Sequence, residues 1–138
     1  MELLYTAEAT ATGGRRNGRA RSADGELDVR IAPPKEVGGP GGATNPEQLF
    51  AAGYAACFDN SLTLIARWQK LQVEQTSVTA LVGLGKLDDG GFGLDVELRV
   101  TVTGVPRDQA VDLVAKAHQL CPYSRATRGN LDVRVTLV

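Results

Sequence analysis

The chain has 138 residues, a formal net charge of −1 and aromatic residues at only 5% of the sequence. A chain of this length is expected to form one domain, here residues 1–138, with a core built from aliphatic side chains. Its 15 basic and 16 acidic residues form no block of either sign. This pattern argues against nucleic acid or a membrane surface as a partner.

The N-terminus lacks the basic and apolar regions of a signal peptide, and no run approaches the roughly 18 apolar residues of a membrane span. We therefore expect a cytoplasmic protein. His118 and Cys121 have a spacing that suits a metal ligand pair. However, two cysteines and one histidine are too few to complete a four-ligand zinc site from one chain. No metal and no cofactor are expected.

The first third of the chain predicts short strands. Residues 3–12 are rich in threonine and alanine and predict a first strand, and residues 27–31 alternate apolar and polar side chains in a second. The polar segment that follows the first strand is assigned to a turn together with its four arginines, Arg15, Arg16, Arg19 and Arg21. Residues 37–44 form a glycine-rich loop.

The longest predicted element is a helix from Pro46 to about Lys70. Asn45 is a suitable N-cap, Pro46 suits the first helical position, and Glu47 lies in the first turn, where the helix dipole favours an anion. The next residues are mostly alanine and include Gly53. They present so little bulk that another part of the protein must pack very close to them.

The second half of the chain predicts a hairpin, a helix and a last strand. Residues 78–84 and 92–102 alternate around a turn, a second helix opens at Pro106 with a short further turn at 123–128, and residues 131–137 alternate again. Helices segregated from antiparallel strands predict an α+β fold.

Cys57 and Cys121 are the residues with the most distinctive chemistry. Cys57 lies on the alanine-rich helical surface, and Cys121 extends the apolar stripe of the second helix, so we expect it to face inward. A buried cysteine is most often a small inert hydrophobe. Burial raises the pKa of a thiol, so a reactive one needs a positive charge beside it. The dipole of the first helix fades within its first turn, which leaves an arginine as the expected source.

The four arginines of the polar turn are ordinarily solvated surface charges, and Glu47 is ordinarily a partner of the helix dipole. An arginine that reaches the alanine-rich surface would need a carboxylate to hold its guanidinium. Glu47 is the acid nearest to that surface in sequence.

Three segments resemble the organic hydroperoxide resistance (Ohr) proteins of the OsmC-like superfamily: TNPEQLFAAGYAACF at 44–58, AHQLCPYS at 117–124 and ATRGN at 126–130. The resemblance covers the whole chain. It implies antiparallel sheets around a long central helix and a second helix, in an intertwined homodimer. It also implies a thiol peroxidase that reduces alkyl and fatty-acid hydroperoxides to alcohols, with a lipoylated protein or another dithiol as reductant.

By motif, the resemblance assigns Cys57 as the peroxidatic cysteine, Cys121 as the resolving cysteine and Glu47 as the carboxylate that orients a catalytic arginine. In the family that arginine follows a glycine and precedes Asn-Gly or Asp-Gly. The segment GRRNG has one arginine more than this pattern. Counting back from its Asn-Gly selects Arg16, which we choose, and counting forward from its glycine selects Arg15.

An apolar pocket beside the thiols is implied for a hydroperoxide with a carbon tail. Phe50 and Tyr123 are candidates for its wall, although either side chain can equally be ordinary core. Asp59 departs from the family pattern by adding a charge soon after the reactive cysteine, and this charge is expected to alter the substrate pocket.

Ten residues of helix separate Glu47 from Cys57 by about 15 Å, so a single guanidinium cannot contact both. Either the helix breaks near Gly53 or the two side chains come from different chains. We predict the second arrangement, in which two copies of the helix pack antiparallel and Glu47 of one subunit meets Cys57 of the other.

Other functions stay open at this point. One is an OsmC-type peroxidase of broader substrate range, and another is a non-catalytic dimer that binds an apolar ligand with both cysteines inert. A redox-sensing regulator would need a DNA-binding element, and the chain has no basic recognition helix.

Overall fold

The computed structural model describes all residues, 1–138, and the chain divides into two compact units, residues 1–49 and 50–138. The single domain expected over the whole chain stays a prediction. The chain contains three α-helices and two three-stranded sheets, and each sheet includes an antiparallel hairpin. This is the α+β class that the sequence predicts.

The first unit contains an antiparallel sheet in the order β1-β2-β3, with β1 at Ala9–Thr12, β2 at Gly18–Ser22 and β3 at Asp28–Ile31. β1 is shorter than the strand predicted over 3–12, because pairing with β2 begins only at Ala9. A short 3₁₀ helix follows at Lys35–Val37.

The turn between β1 and β2 is tighter than predicted. Arg15 and Arg16 lie in it, but Arg19 and Arg21 belong to β2, so their assignment to the turn is wrong. Cross-strand pairing decides this, because β2 pairs with β1 on one side and with β3 on the other. In addition, the Arg19 Nε donates to the Asp28 carboxylate on β3 at 2.7 Å. The hydrogen bonds from Arg19 hold the pKa of that carboxyl below its usual range.

The long helix, α1, runs without a break over Pro46–Trp68. Its start is a capping box: the Asn45 side chain accepts a hydrogen bond from the Gln48 N–H at 2.9 Å, and the Gln48 side chain accepts one from the Asn45 N–H at 3.3 Å. The predicted N-terminus is therefore confirmed. A break near Gly53 does not occur, which removes one of the two ways of relating Glu47 to Cys57.

The second unit contains a sheet in the order β4-β5-β6, with β4 at Gln75–Lys86, β5 at Phe92–Thr103 and β6 at Val133–Leu137. β4 and β5 form the predicted antiparallel hairpin, whereas β6 pairs with β5 in parallel. The connection between β5 and β6 contains α2 (Arg107–Leu120) and α3 (Pro122–Thr127). It is long enough to return the chain to the N-terminal part of β5, so that β6 can run parallel to that strand.

One hydrophobic core lies within the second unit, between α1, the central strand β5 and α2. Its fully buried members are Tyr54, Phe58, Leu62, Val96, Leu98, Val100, Leu113, Ala117 and Cys121. By length and composition α1 could cross a membrane. The core helix of a soluble protein passes the same test, and one side of α1 is buried in this core.

Candidate active site

The two cysteine thiols lie in contact. Cys57 is half-buried on α1, Cys121 is fully buried, and their Sγ atoms are 3.4 Å apart although 64 positions separate them in sequence. Both are free thiols, and a disulfide would require their sulfur atoms to approach to about 2.0 Å. The inward orientation expected for Cys121 is confirmed, and the pair can join with only a small movement.

Cys121 is held at the junction of two helices. Its N–H donates to the Ala117 carbonyl at 2.8 Å as the last bond of α2, and its own carbonyl accepts from the Arg125 N–H at 3.0 Å in α3. Pro122 follows at the first position of α3, where its missing N–H costs no hydrogen bond. The backbone at Cys121 is therefore fixed on both sides.

The local environment favours the protonated form of Cys57. Burial is the largest influence and raises the pKa of the Cys57 thiol, and the neighbouring Cys121 thiol raises it further. The backbone N–H of Tyr123 acts in the opposite direction and lowers the pKa. A thiolate at neutral pH therefore needs a further positive charge beside this sulfur.

A polar network adjoins the thiols. The fully buried Ser124 has its Oγ 3.0 Å from the Tyr54 hydroxyl and 3.0 Å from His118 Nδ1, and the Tyr54 hydroxyl is also 3.3 Å from Thr127 Oγ1. Burial lowers the pKa of His118, and the positive charge of Arg128 lowers it further.

Three residues of this network were not predicted from the sequence as site residues: Tyr54, Ser124 and Thr127. A signal for two of them was present: Tyr54 precedes Cys57 by three residues, and Ser124 follows Cys121 by three. In a helix, this spacing puts two side chains on the same face.

Three aromatic rings, two on α1 and one on α3, form a cluster on the N-terminal side of Cys57. Phe50, Tyr54 and Tyr123 have centroids 5.7–6.5 Å apart. The Tyr123 ring covers Gly53, where a Cβ atom would lie 3.2 Å from the Tyr123 hydroxyl. The close neighbour expected from the lack of bulk on α1 is therefore, at this position, Tyr123. Phe50 is half-buried and Tyr123 is 42% exposed, so both side chains can contact a ligand.

The charged residues that were predicted to activate Cys57 lie in other parts of the chain than the two cysteines. Arg15 and Arg16 have exposed side chains in the β1–β2 turn, and Glu47 is half-buried in the first turn of α1. The five ion pairs within the chain involve other residues. The roles assigned to Arg16 and Glu47, and the choice of Arg16 over Arg15, stay predictions.

Asp59 is engaged with the sheet. Its Oδ1 accepts a hydrogen bond of 2.6 Å from the Thr76 hydroxyl on β4, and both side chains are half-buried. The charge that departs from the family pattern thus joins α1 to β4.

A cavity of about 520 Å³ lies between the C-terminal end of α1 and the start of β4. Arg67, Lys70, Leu71 and Glu74 are among its lining residues, and neither cysteine is one of them. The thiols are therefore not part of this cavity.

Comparison with known proteins identifies the family of the chain. The family model described as "OsmC-like protein" matches residues 39–136. An organic hydroperoxide resistance protein from Xanthomonas axonopodis pv. citri is 54% identical over 138 residues, which covers 99% of this chain and 96% of the relative. The organic hydroperoxide resistance protein OhrA from Bacillus subtilis is 50% identical over 136 residues, covering 94% of this chain and 93% of the relative.

A solved structure gives the same result for the fold. The crystal structure of an organic hydroperoxide resistance protein from Elizabethkingia anophelis, with thiocyanate bound, has a TM-score of 0.95 and 51% identity, covering 99% of this chain and 98% of that one. The resemblance inferred from the three sequence segments is therefore confirmed. This chain belongs to the OsmC-like superfamily and, within it, to the organic hydroperoxide resistance proteins.

Proposed function

We propose that this protein is a cysteine-based peroxidase that reduces organic hydroperoxides to alcohols. The observation that carries the proposal is the contact of 3.4 Å between a half-buried and a fully buried thiol. The family supports the substrate class, because relatives of about half identity are named for resistance to organic hydroperoxides. The coarser conclusion, a role in organic hydroperoxide detoxification, follows from these relatives alone.

In the first step, the Cys57 thiolate attacks the terminal oxygen of the hydroperoxide. A sulfur–oxygen bond forms, the oxygen–oxygen bond breaks, and the alkoxide takes a proton and leaves as the alcohol. Cys57 is oxidised to a sulfenic acid. Its half-buried position supports this assignment, since the attacking sulfur must meet the substrate.

In the second step, the Cys121 thiol condenses with the sulfenic acid. A disulfide forms and the sulfenic oxygen leaves as water with the thiol proton. Burial of Cys121 keeps its thiol away from the substrate, and the contact between the sulfur atoms makes the condensation local. A lipoylated protein or another dithiol then reduces the disulfide by thiol exchange and is itself oxidised. Such cycling suits a reducing compartment, and we propose a cytoplasmic location.

Activation of Cys57 is assigned to Arg16, held by Glu47. Support comes from the pKa of the Cys57 thiol, which burial raises, so that a nearby guanidinium is needed to form the thiolate. The unbroken α1 separates Glu47 from Cys57 by about 15 Å within one chain. We therefore propose an intertwined homodimer with antiparallel copies of α1, in which Glu47 of one subunit serves Cys57 of the other.

The substrate tail is assigned to the aromatic cluster. Phe50 lies two helical turns before Cys57 on α1, and Tyr123 lies on α3 two residues after Cys121. Their partly exposed rings favour an alkyl or fatty-acid chain over the small polar hydrogen peroxide. Truncation of either ring is expected to weaken the preference for cumene hydroperoxide over hydrogen peroxide.

Anaerobic titration of the reduced protein tests the proposal. One equivalent of cumene hydroperoxide should remove about 2 Da per chain, the mass of two thiol hydrogens, whereas hydrogen peroxide should react far more slowly. In Cys121→Ser the same titration should instead add the mass of one oxygen atom to Cys57. Two thiols that persist in the presence of excess cumene hydroperoxide would overturn the peroxidase assignment and favour a non-catalytic apolar-ligand-binding dimer.

Two matched variants separate the arginines. Arg16→Lys keeps the charge but loses the planar, two-pronged geometry of the guanidinium, so it should react with cumene hydroperoxide at least tenfold more slowly, while Arg15→Lys should react at the wild-type rate. The reverse result would assign the role to Arg15. An equal loss of rate toward hydrogen peroxide and cumene hydroperoxide is expected, because the arginine acts on the sulfur.

A further inference from the structure

The buried Ser124 hydroxyl connects the three helices that carry the cysteines. Ser124 lies on α3, three residues after Cys121, and its Oγ is 3.0 Å from Tyr54 on α1 and 3.0 Å from His118 on α2. Tyr54 precedes Cys57 by three residues, and His118 precedes Cys121 by the same number. The hydroxyl network therefore runs one helical turn from the sulfur contact and spans the same elements.

The hydrogen positions follow from counting one hydrogen per hydroxyl. The Thr127 hydroxyl is 3.0 Å from the Tyr123 carbonyl and 3.2 Å from the Ser124 carbonyl, and both are acceptors only, so Thr127 donates to the backbone and accepts from Tyr54. Tyr54 then accepts from Ser124, and Ser124 accepts from the His118 Nδ1–H. In this assignment every hydroxyl donates once and accepts once.

The network ends beside the nucleophilic sulfur. The Thr127 hydroxyl donates to the carbonyl of Tyr123, and the backbone N–H of Tyr123 lowers the pKa of the Cys57 thiol. The first turn of α3 thus carries both Cys121 and the serine at the centre of the network. A shift of α3 would move the Cys121 sulfur relative to Cys57 on α1.

We propose that Ser124 is a positioning residue, which holds α3 against α1 and α2 so that the Cys121 sulfur stays within reach of Cys57. The part of this role that concerns the sulfenic acid rests on the proposed peroxidase function. It governs the second step, in which the Cys57–SOH and Cys121–SH groups become a disulfide and water, and leaves the first step to Cys57 and its activating charge. Small misplacements of reacting groups reduce such rates steeply.

Stopped-flow oxidation of Ser124→Ala with cumene hydroperoxide separates the two steps. Consumption of the Cys57 thiol should stay within about threefold of wild type, while disulfide formation should slow at least about tenfold. The sulfenic acid should accumulate and become trappable by a dimedone-type reagent. Ser61→Ala is the matched control, because Ser61 is also a buried serine but lies on α1. Its hydroxyl donates to the Cys57 carbonyl at 3.0 Å, a bond within α1 that joins no other helix.

A second measurement does not depend on peroxide chemistry. Equilibration of each protein with reduced and oxidised glutathione gives the stability of the Cys57–Cys121 disulfide, which should fall about tenfold in Ser124→Ala and stay unchanged in Ser61→Ala. Tyr54→Phe removes one partner of Ser124 while keeping the ring. It should shift the equilibrium in the same direction and carries the test if Ser124→Ala does not fold.

The outcomes are distinguishable. Wild-type protein whose thiols do not react with cumene hydroperoxide would overturn the peroxidase proposal. The glutathione equilibrium would then still test whether Ser124 positions the two cysteines. Disulfide stability within twofold of wild type in both folded Ser124→Ala and Tyr54→Phe would overturn the role of Ser124. Equal slowing of both oxidation steps would also overturn it, since that is the behaviour of general structural damage.

Discussion

The contact between Tyr123 and Gly53 makes a quantitative prediction about α1. Replacing glycine by alanine inside a helix normally stabilises it by about 1 kcal/mol, because glycine loses more backbone entropy on folding. Here the new Cβ would lie 3.2 Å from the Tyr123 hydroxyl and 3.3 Å from a ring carbon. The ring must move by a few tenths of an ångström to restore ordinary contact.

Overpacking a closed core costs about 1–3 kcal/mol. Tyr123 is 42% exposed and can move toward solvent, so the cost should lie near the lower limit, about 1 kcal/mol. Gly53→Ala is therefore expected to be almost neutral in the wild-type protein. In a Tyr123→Ala background the ring is gone, and the same substitution should stabilise by about 1 kcal/mol.

Urea unfolding at 25 °C followed by circular dichroism measures all four proteins of this cycle. The expected coupling free energy is about 1 kcal/mol, above the roughly 0.5 kcal/mol scatter seen for independent sites. The three atoms nearest to the new Cβ all belong to Tyr123, so a Phe50→Leu background, which keeps that ring, should leave the Gly53 effect nearly unchanged. Equal effects of Gly53→Ala with and without the Tyr123 ring would show that this contact does not oppose the new methyl group.

Three further predictions concern charge and burial. The pKa of His118 is lowered in the folded protein, so the unfolded chain binds a proton more readily, and the free energy of unfolding should fall as pH decreases below about 6.5. In His118→Asn, the urea midpoints should depend less steeply on pH between pH 7.5 and 5. An unchanged slope would show that His118 is not the source of this pH dependence. Thr76→Val leaves the half-buried Asp59 carboxylate without its hydroxyl partner and should lower the free energy of unfolding by about 1–3 kcal/mol. Thr76→Ser keeps a hydroxyl and should cost less than half as much. Equal losses for the two variants in urea unfolding would argue against a stabilising role for this bond. In the proposed mechanism, Arg16→Ala removes the charge that activates Cys57 and should leave this thiol with the raised pKa of its buried surroundings. Alkylation of Cys57, monitored by mass in a Cys121→Ser background, should then shift to higher pH than with Arg16 present. An identical pH profile would remove Arg16 from the site.

Local signals predicted the helices well because their causes are local. The capping box at Asn45 and Gln48 and the proline that follows Asn45 act within one turn, and α1 accordingly begins at the predicted residue. Strand pairing is less local. The alternation in β5 was sufficient to predict a strand, but β2 was missed because its arginines and glycine have no apolar pattern, and only pairing with β1 and β3 makes it a strand.

Residue patterns along the chain are enough to predict the secondary structure of its second half, the start of α1 and, through the cysteine motifs, the family. Three contacts come from the folded chain: two sulfur atoms 64 positions apart lie within 3.4 Å, Tyr123 lies over Gly53, and a buried serine joins three helices. Capping and periodicity act over a few residues, whereas these contacts depend on how α1, α2 and α3 pack around one core.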